Sequence, residues 1–509
     1  MPRDFPRSAS RARRPPAACR SDFSSSAASA TTSPSWHSPP NTRRRTRGSN
    51  AGPTWPRERR RLNRTRGGKT MSSMKALTGA ALIDGSGKVV RDPVLVLENG
   101  RILAAGSAAS VDVPPNAERI DARGCTLMPG LIDTHVHLGA FNCTSFGSAR
   151  TARFEVTPQL QSFYALFHAQ ICLEMGFTTL RDAGRGTPRG DFAEEMCAVR
   201  DAINAGIVAG PRLQILAETV ITGGHLELLT LPRAMPRPEN FTADGPWELR
   251  RKVRELIRSG VDGIKTSVSG GVALGTSPDV RNMTQEELDA IVDEAHAFRK
   301  PVAVHCFNPE GLHMCVNAGV DTIEHMVYSD AESIKRVSDS GAWVIPTLLN
   351  RSDYVIDKNV QLGLPPSLIA TQRSIQPACF RTFRAMREGG VRIAMGTDIH
   401  NVPEMGCAAM ELELYVRHGM TPMEAIEAAT ENAARAIGLG ADLGTLEAGK
   451  IADVIAVRGD PLSDIALLQD PANIALVMKE GRVYVDRTAA VPRLVRHPEP
   501  GAWKIIDRA

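Results

Sequence analysis

Between residues 130 and 440, short apolar runs rich in Val, Ile and Leu alternate with longer stretches whose apolar positions recur every three or four residues. The short runs are GLIDTHVHL (130–138), FTTLRDAG (177–184), RLQILAETVITGGH (212–225), VDGIKTSVSGG (261–271), PVAVHCFN (301–308), DTIEHMVYS (321–329), WVIPTLLN (343–350) and VRIAMGTDI (391–399). Each closes on a turn-forming residue or lies against one, the pattern of strands buried on both faces. WELRRKVRELIRSG (247–260), TQEELDAIVDEAHAFRK (284–300) and ACFRTFRAMREGG (378–390) carry the helical period between them. Eight such βα units over about 310 residues predict a (β/α)8 TIM barrel.

The texture changes at both ends of this region. Residues 76–128 are short aliphatic runs broken by turn signals at Asp84-Gly85 and Asn99-Gly100, and the same pattern returns in 444–459 and 474–486, where Glu480-Gly481 turns the chain. These two ends predict one discontinuous β-sandwich, built from 74–129 and 441–509, beside the barrel at 130–440.

Charge separates a further segment. Residues 1–70 carry 17 basic and 3 acidic residues, a net of +14, while 71–509 hold 44 basic and 53 acidic, a net of −9. Stretches such as RARRPPAACR and NTRRRTRGSN have almost no aliphatic side chains to bury, so a disordered basic extension is expected. A nucleic-acid arm and an organellar transit peptide share that composition, but aromatic residues are not interleaved and prolines spoil any helical face. The favoured reading starts translation at Met71 or Met74, with 1–70 as upstream reading frame. Nucleic acid is not an expected partner. No apolar stretch reaches the ~20 residues of a membrane helix. Nine cysteines without a C-x-x-C pair point to reduced thiols in a cytoplasmic protein.

Candidate chemistry collects at the ends of the predicted strands. Side chains two apart on a strand share a face, so His135 and His137 lie side by side at the end of strand 1, as a metal site requires. Lys265 lies inside apolar strand 4, His305 in strand 5, His325 in strand 6 and Asp398 in strand 8, with His225 closing strand 3. One histidine in a strand is ordinarily a satisfied core residue; several on strand ends of one barrel converge on its carboxyl-terminal mouth. An ammonium in an apolar strand needs a partner or must be neutralised, by a nearby acid or by addition of CO2 to give a carbamate. Cys306 points to the opposite face from His305 and is not a ligand. His168, His296, His313 and His418 fall in helical segments and read as structural or solvent-facing.

The motifs MPGLIDTHVHL (128–138), TTLRDAG (178–184), TGGH (222–225), GIKTSVSGG (263–271), AVHCFNPEG (303–311), TIEHM (322–326), MGTDI (395–399) and the tail 432–462 together carry a resemblance. The chain resembles the binuclear branch of the amidohydrolase superfamily, and within it the imidazolonepropionase-related Xaa-Pro dipeptidase and ochratoxinase-type group. That resemblance implies two divalent metal ions. His135, His137 and Asp398 would hold the more buried one and His305 and His325 the more exposed one, bridged by N-carboxylated Lys265 and a hydroxide. Four imidazoles with carboxylate oxygens suit zinc, with cobalt, manganese or iron as alternatives for the same shell. Asp398 would move the proton of the water to the departing amine, and His225 is a candidate for stabilising the oxyanion or contacting the substrate, a helix-capping or core histidine being the equal alternative. Tyr328 and Arg181 are weak candidates for a substrate carboxylate, pairing with Asp182 or another barrel-floor acid being the favoured reading of Arg181. The sequence IHNVPEMG after Asp398, with His400, departs from the usual pattern of the group.

The expected function is hydrolysis of the amide bond to a C-terminal amino acid in a dipeptide or N-acyl amino acid, of the Xaa-Pro dipeptidase or ochratoxin A hydrolase type. The alternative is a cyclic amide, carbamate, urea or deamination reaction on the same site. Deaminases of this fold commonly use one metal and lack the lysine of strand 4. A scaffold without activity would be expected to lack ligands, and none is missing here. A homo-oligomer is implied by the resemblance.

Overall fold

Each of the eight apolar runs contains a parallel strand in the computed structural model, which describes residues 74–140, 145–184, 192–230, 236–272, 275–400 and 404–495. The basic segment 1–70 lies outside the described residues. Barrel strands 1 to 8 are Leu131–Val136, Phe177–Asp182, Arg212–Glu218, Gly263–Ser267, Val302–Cys306, Thr322–His325, Trp343–Ile345 and Arg392–Ile393. Their order in the sheet is their order in the chain. The ring closes through a parallel bridge between Val136 and Ile399, with the Asp398 N–H donating to His135 O at 2.8 Å. The sheet is therefore a (β/α)8 barrel, its strands buried by their own interior on one side and by helices on the other.

The helices follow the periodic stretches. Gly245–Arg258 and Gln285–Ala297 lie where the pattern puts them. Thr284 caps the second: its Oγ accepts from the Glu287 N–H while its own N–H donates to Glu287 Oε2 at 2.7 Å, a reciprocal capping box. The helix expected at 378–390 is longer, Pro366–Glu388, because Pro377 sits inside it without ending it. A proline removes one backbone bond, and the buried face of this helix, including Ile375, Cys379 and Phe383, holds the two halves in line. No helix among the described residues is long and apolar enough to cross a membrane.

The two chain ends form a second, mixed sheet of eight strands. Its central strand, Glu118–Pro129, runs parallel to Met74–Ile83 on one side and antiparallel to Val454–Arg458 on the other, so the ends of the chain are joined by direct backbone pairing. The Asn99-Gly100 and Glu480-Gly481 turns both have positive φ at both residues, as two-residue hairpins of this twist require. The two turns meet. Gly481 N–H donates to Ala452 O, and Ala452 N–H to Gly100 O, each at 2.9 Å. A Cβ on Gly100 would stand 2.9 Å from Glu480 O, so the approach depends on glycine. Leu77, Leu95, Leu127, Val454 and Met478 share the core that this folded-over sheet encloses.

Barrel and sheet are fastened at the amino-terminal end of the strands. Gly130 carries the chain from the central sheet strand into barrel strand 1, where a Cβ would overlap the Thr178 side chain at 2.2 Å. Arg212, opening barrel strand 3, bonds Asp453 Oδ2 and Glu480 Oε1 at 2.7 Å each, and Asp453 Oδ1 accepts from the Glu480 N–H. Removing the buried Asp453 carboxylate takes away the buried one of that guanidinium's two acidic partners and leaves only Glu480, whose side chain is half exposed. Asp453→Ala is expected to destabilise the fold by about 3 kcal/mol, read as a lower denaturation midpoint; a loss below about 0.5 kcal/mol, the level of an exposed pair, would show the clasp to be unimportant.

Candidate metal centre

His135 and His137 face the barrel interior from the end of strand 1, and Asp398 meets them from the segment that follows strand 8. His135 Nε2 is 3.6 Å and His137 Nε2 3.2 Å from Asp398 Oδ1. These three residues offer ligand atoms that all lie within 4.8 Å of one another. The cluster continues across the mouth. The ring of His325, at the end of strand 6, is 5.2 Å from that of His135 and 4.7 Å from that of His305 on strand 5. The His305 ring stacks with those of Phe307 and His225, each at 4.5 Å between centroids.

The imidazoles are already oriented for a metal. His135 Nδ1 is 2.5 Å from Glu324 Oε2 and His137 Nδ1 is 2.6 Å from Gly184 O. His325 Nδ1 is 2.7 Å from Thr347 Oγ1, and His305 Nε2 donates to Gly270 O at 3.1 Å. In each ring one nitrogen is fixed by a neighbour and the other is left to coordinate, the arrangement that sets tautomer and direction in metal sites. Burial pushes His135 down to about 4, and burial together with neighbouring groups holds His305 and His325 well below the ordinary 6.5. All three are neutral near pH 7, the ligating form. Burial works to raise the Asp398 carboxyl, but His137, His135 and His325 outweigh it and hold it well below 3.8, so Asp398 is a carboxylate.

Lys265, on strand 4, is 3% exposed. Its amine makes no hydrogen bond or ion pair among the described residues, and burial lowers its pKa despite the pull of Glu324 and Asp398. The acid partner that would make it an ordinary structural lysine is not there. Neutral imidazoles, a carboxylate and a desolvated amine form a donor set that fits divalent metal.

Position corrects one assignment from the sequence, His225 on strand 3, and settles Arg181 on its buried acid. Strand 3 stops at Glu218, and His225 is the first residue of a short helix, His225–Thr230, in the loop beyond it. It reaches the centre all the same, packed so closely under Gly271 that a Cβ there would stand 2.7 Å from its Cε1. Its Nδ1 is buried without a partner, and burial pushes the ring down to about 4. Arg181 is 1% exposed and points into the barrel below the centre, where it donates to Thr134 O at 2.6 Å and to Glu324 Oε1 at 2.9 Å. The buried acid, and not a substrate carboxylate, is its partner. Tyr328 is half-buried against the cluster of Phe307, Val327 and Ile375. His168, His296 and His418 are engaged structurally, with Leu138 O, Asp321 and the Phe380 ring respectively.

Glu324 is a residue that pattern reading passed over. It lies between Arg181 and His135, and although burial raises its carboxyl, the Arg181 guanidinium, His135 with its hydrogen bond, and Lys265 hold it well below the ordinary value. A signal existed, because an acid inside the buried strand TIEH is as anomalous as a lysine inside GIKTS. Asn350 and Arg351, in the loop after strand 7, were also missed. Asn350 Nδ2 donates to Asp398 Oδ2 at 2.5 Å, and Arg351 Nη2 lies 3.8 Å from the same oxygen. Glu411, wholly buried, accepts from the N–H groups of Leu348 and Leu349 at 2.7 and 2.5 Å and so holds this loop in place. The three strand ends that carry these groups are strained. His325, Thr347 and Asp398 have φ of 76°, 52° and 57°, a region that β-branched and most other non-glycine residues avoid.

A parallel eight-strand barrel with a His-His-Asp cluster at its carboxyl-terminal mouth is a barrel of the class that can hold a metal ion where such folds carry their chemistry. Comparison with known proteins narrows it: residues 126–484 match the amidohydrolase family, and the chain belongs to that family. It is 32% identical to ochratoxinase of Aspergillus niger over 428 residues, covering 79% of this chain and 85% of that enzyme. It is 26% identical to imidazolonepropionase of Symbiobacterium thermophilum over 444 residues, 80% of this chain and 92% of that one. Among solved structures, a Xaa-Pro dipeptidase with methionine bound in its active site superposes with a TM-score of 0.73 at 33% identity, covering 81% of this chain and all of that one.

Two outcomes follow from the supporting residues. Glu324→Gln is expected to weaken metal affinity by roughly 10- to 100-fold, measured by competition with a chelator; unchanged affinity would remove Glu324 from the centre. Burial pushes the Glu411 carboxyl up to about 8, above the ordinary 4.5. The folded state therefore keeps a proton that the unfolded chain gives up, a contribution complete below pH 4.5 and lost as pH rises through about 8. The melting temperature should fall between about pH 4.5 and 8, and Glu411→Gln, neutral throughout, should flatten that slope; equal slopes would contradict the assignment.

Proposed function

We propose that the protein is a dimetal amidohydrolase that cleaves the amide bond to a C-terminal amino acid in dipeptides or N-acyl amino acids. Lys265 carries this reading. A buried amine with no acid within ion-pair distance among the described residues, facing two sets of imidazoles, is disposed to add CO2. Nitrogen bonds to carbon, one N–H proton leaves, and a carbamate whose single negative charge is shared by two oxygens replaces the amine. The cation that did not belong becomes a ligand reaching both sides.

His135, His137 and Asp398 would hold one ion, His305 and His325 the other, and carboxylated Lys265 both; zinc suits this set best. When bound, such a pair lowers the pKa of water and polarises a carbonyl oxygen. Asp398, kept ionised by the surrounding imidazoles, accepts the proton of the attacking water and returns it to the leaving nitrogen. Asn350 fixes the carboxylate that performs this shuttle. His225, stacked on His305, is placed to donate to the oxyanion as the carbonyl becomes tetrahedral. The substrate class follows the relatives, whose names couple this site to ochratoxin and to Xaa-Pro dipeptides.

Elemental analysis of protein purified without added metal, with amino-acid release measured from Xaa-Pro dipeptides, N-acyl amino acids and ochratoxin A, tests the proposal. Near two metals per chain with release from a member of the panel is expected; near one metal without release would turn the assignment toward a cyclic amide or deamination. Lys265→Ala should lose metal and nearly all turnover, with partial recovery on adding short carboxylic acids, and full activity in that variant would exclude the carbamate. Asp398→Asn should keep much of the metal yet lose turnover.

A further inference from the structure

Arg351 is the feature of the mouth that hydrolysis as described does not use. It is 5% exposed, yet no carboxylate among the described residues lies within hydrogen-bond distance of its guanidinium. Nη1 donates to Asn350 O at 3.2 Å, and Nε is buried without any partner. The nearest acidic oxygen, Asp398 Oδ2 at 3.8 Å, is already taken by Asn350. The Phe307 ring lies under the cation, 5.3 Å from Cζ to centroid. A buried guanidinium is ordinarily neutralised by a bidentate acid. Here the loop is clamped by Glu411 so that the cation is kept beside the centre with donors to spare.

Position says which acid would complete it. If Asp398 returns the proton to the leaving nitrogen, then the leaving-group side of the substrate lies against Asp398, and the carboxylate of a departing amino acid is only two bonds from that nitrogen. A planar, fork-shaped cation 3.8 Å from the proton carrier is where such a carboxylate arrives. We infer that Arg351 is the substrate-binding residue that receives the α-carboxylate of the departing amino acid, restricting the site to amides that bear a free carboxylate on the leaving side. This deepens the amidohydrolase proposal and rests on it for the identity of the reacting bond. It also fills the place for which Arg181 was the candidate in the sequence.

The test separates the two claims. Binding of free L-phenylalanine, L-proline and L-methionine to the protein as purified is compared by calorimetry with binding of their carboxamides, in wild type, Arg351→Gln and Arg351→Lys. Wild type is expected to favour at least one amino acid over its amide by roughly 10- to 100-fold, the scale of a charge-assisted pair. Arg351→Gln should erase that preference with metal content and melting temperature unchanged, and Arg351→Lys should keep part of it. No preference in wild type overturns the inference. So does an equal weakening of acid and amide in Arg351→Gln, or loss of metal from both variants, either of which assigns the side chain to supporting Asp398. Carboxylate preference in a wild-type protein that cleaves none of the amide panel leaves Arg351 assigned and removes the hydrolase proposal; cleavage of the panel without preference does the reverse.

Discussion

Ionisable groups held away from water are the constraint on which the mouth of this barrel depends. Four imidazoles, an amine and two carboxylates occupy a site from which solvent is largely excluded, and each would be destabilising alone. Pairing makes the set tolerable. Arg181 balances Glu324, Glu324 fixes His135, Gly184 and Gly270 carbonyls fix His137 and His305, and Thr347 fixes His325. The second nitrogens of His135 and His137 turn to Asp398 Oδ1, and the Lys265 amine, which makes no hydrogen bond or ion pair among the described residues, lies with them at the same mouth. The same desolvation that makes the groups costly keeps His135, His305 and His325 neutral and ready to bind.

The fold meets this constraint at the ends of its strands. Parallel strands of equal direction deliver every side chain of the centre to one mouth, and the closing bond from Asp398 N–H to His135 O draws the first and last strands together where the ligands are. The chain then turns away sharply, through the positive φ of His325, Thr347 and Asp398. Close approach matters as much. A Cβ on Gly396 would stand 2.4 Å from Ile345 Cγ2 and 2.9 Å from His135 Cβ, and one on Gly271 would strike His225 and His305. Glycine at these two places lets the rings pack.

How much of this was legible in the sequence divides along the range of the interactions. Strand alternation put His135 and His137 on one face, and the eight apolar runs gave eight strands in order, because buried parallel strands write themselves as local patterns. The pairing of both chain ends into one sheet was also visible, since the hairpin signals at Asn99-Gly100 and Glu480-Gly481 are local. Partnerships across the chain were not. Arg181 meets Glu324 across 143 residues, and only the oddity of a charge in a buried strand hints at it. His225 was placed on a strand because the run RLQILAETVITGGH stays apolar past Glu218, where the pairing stops. Arg351 lies in PTLLNRSDY, after a strand of only three residues, where no period marks a direction and the position is set by Glu411 far along the chain.

The binuclear centre is the central claim, and anomalous diffraction from crystals of the metal-loaded protein, recorded on both sides of the absorption edge of the bound metal, tests it most directly. Two peaks about 3.5–4 Å apart are expected, one among His135, His137 and Asp398 and one between His305 and His325, with density running from Lys265 Nζ to both. A single peak on the first three residues, with a bare amine at Lys265, would contradict it.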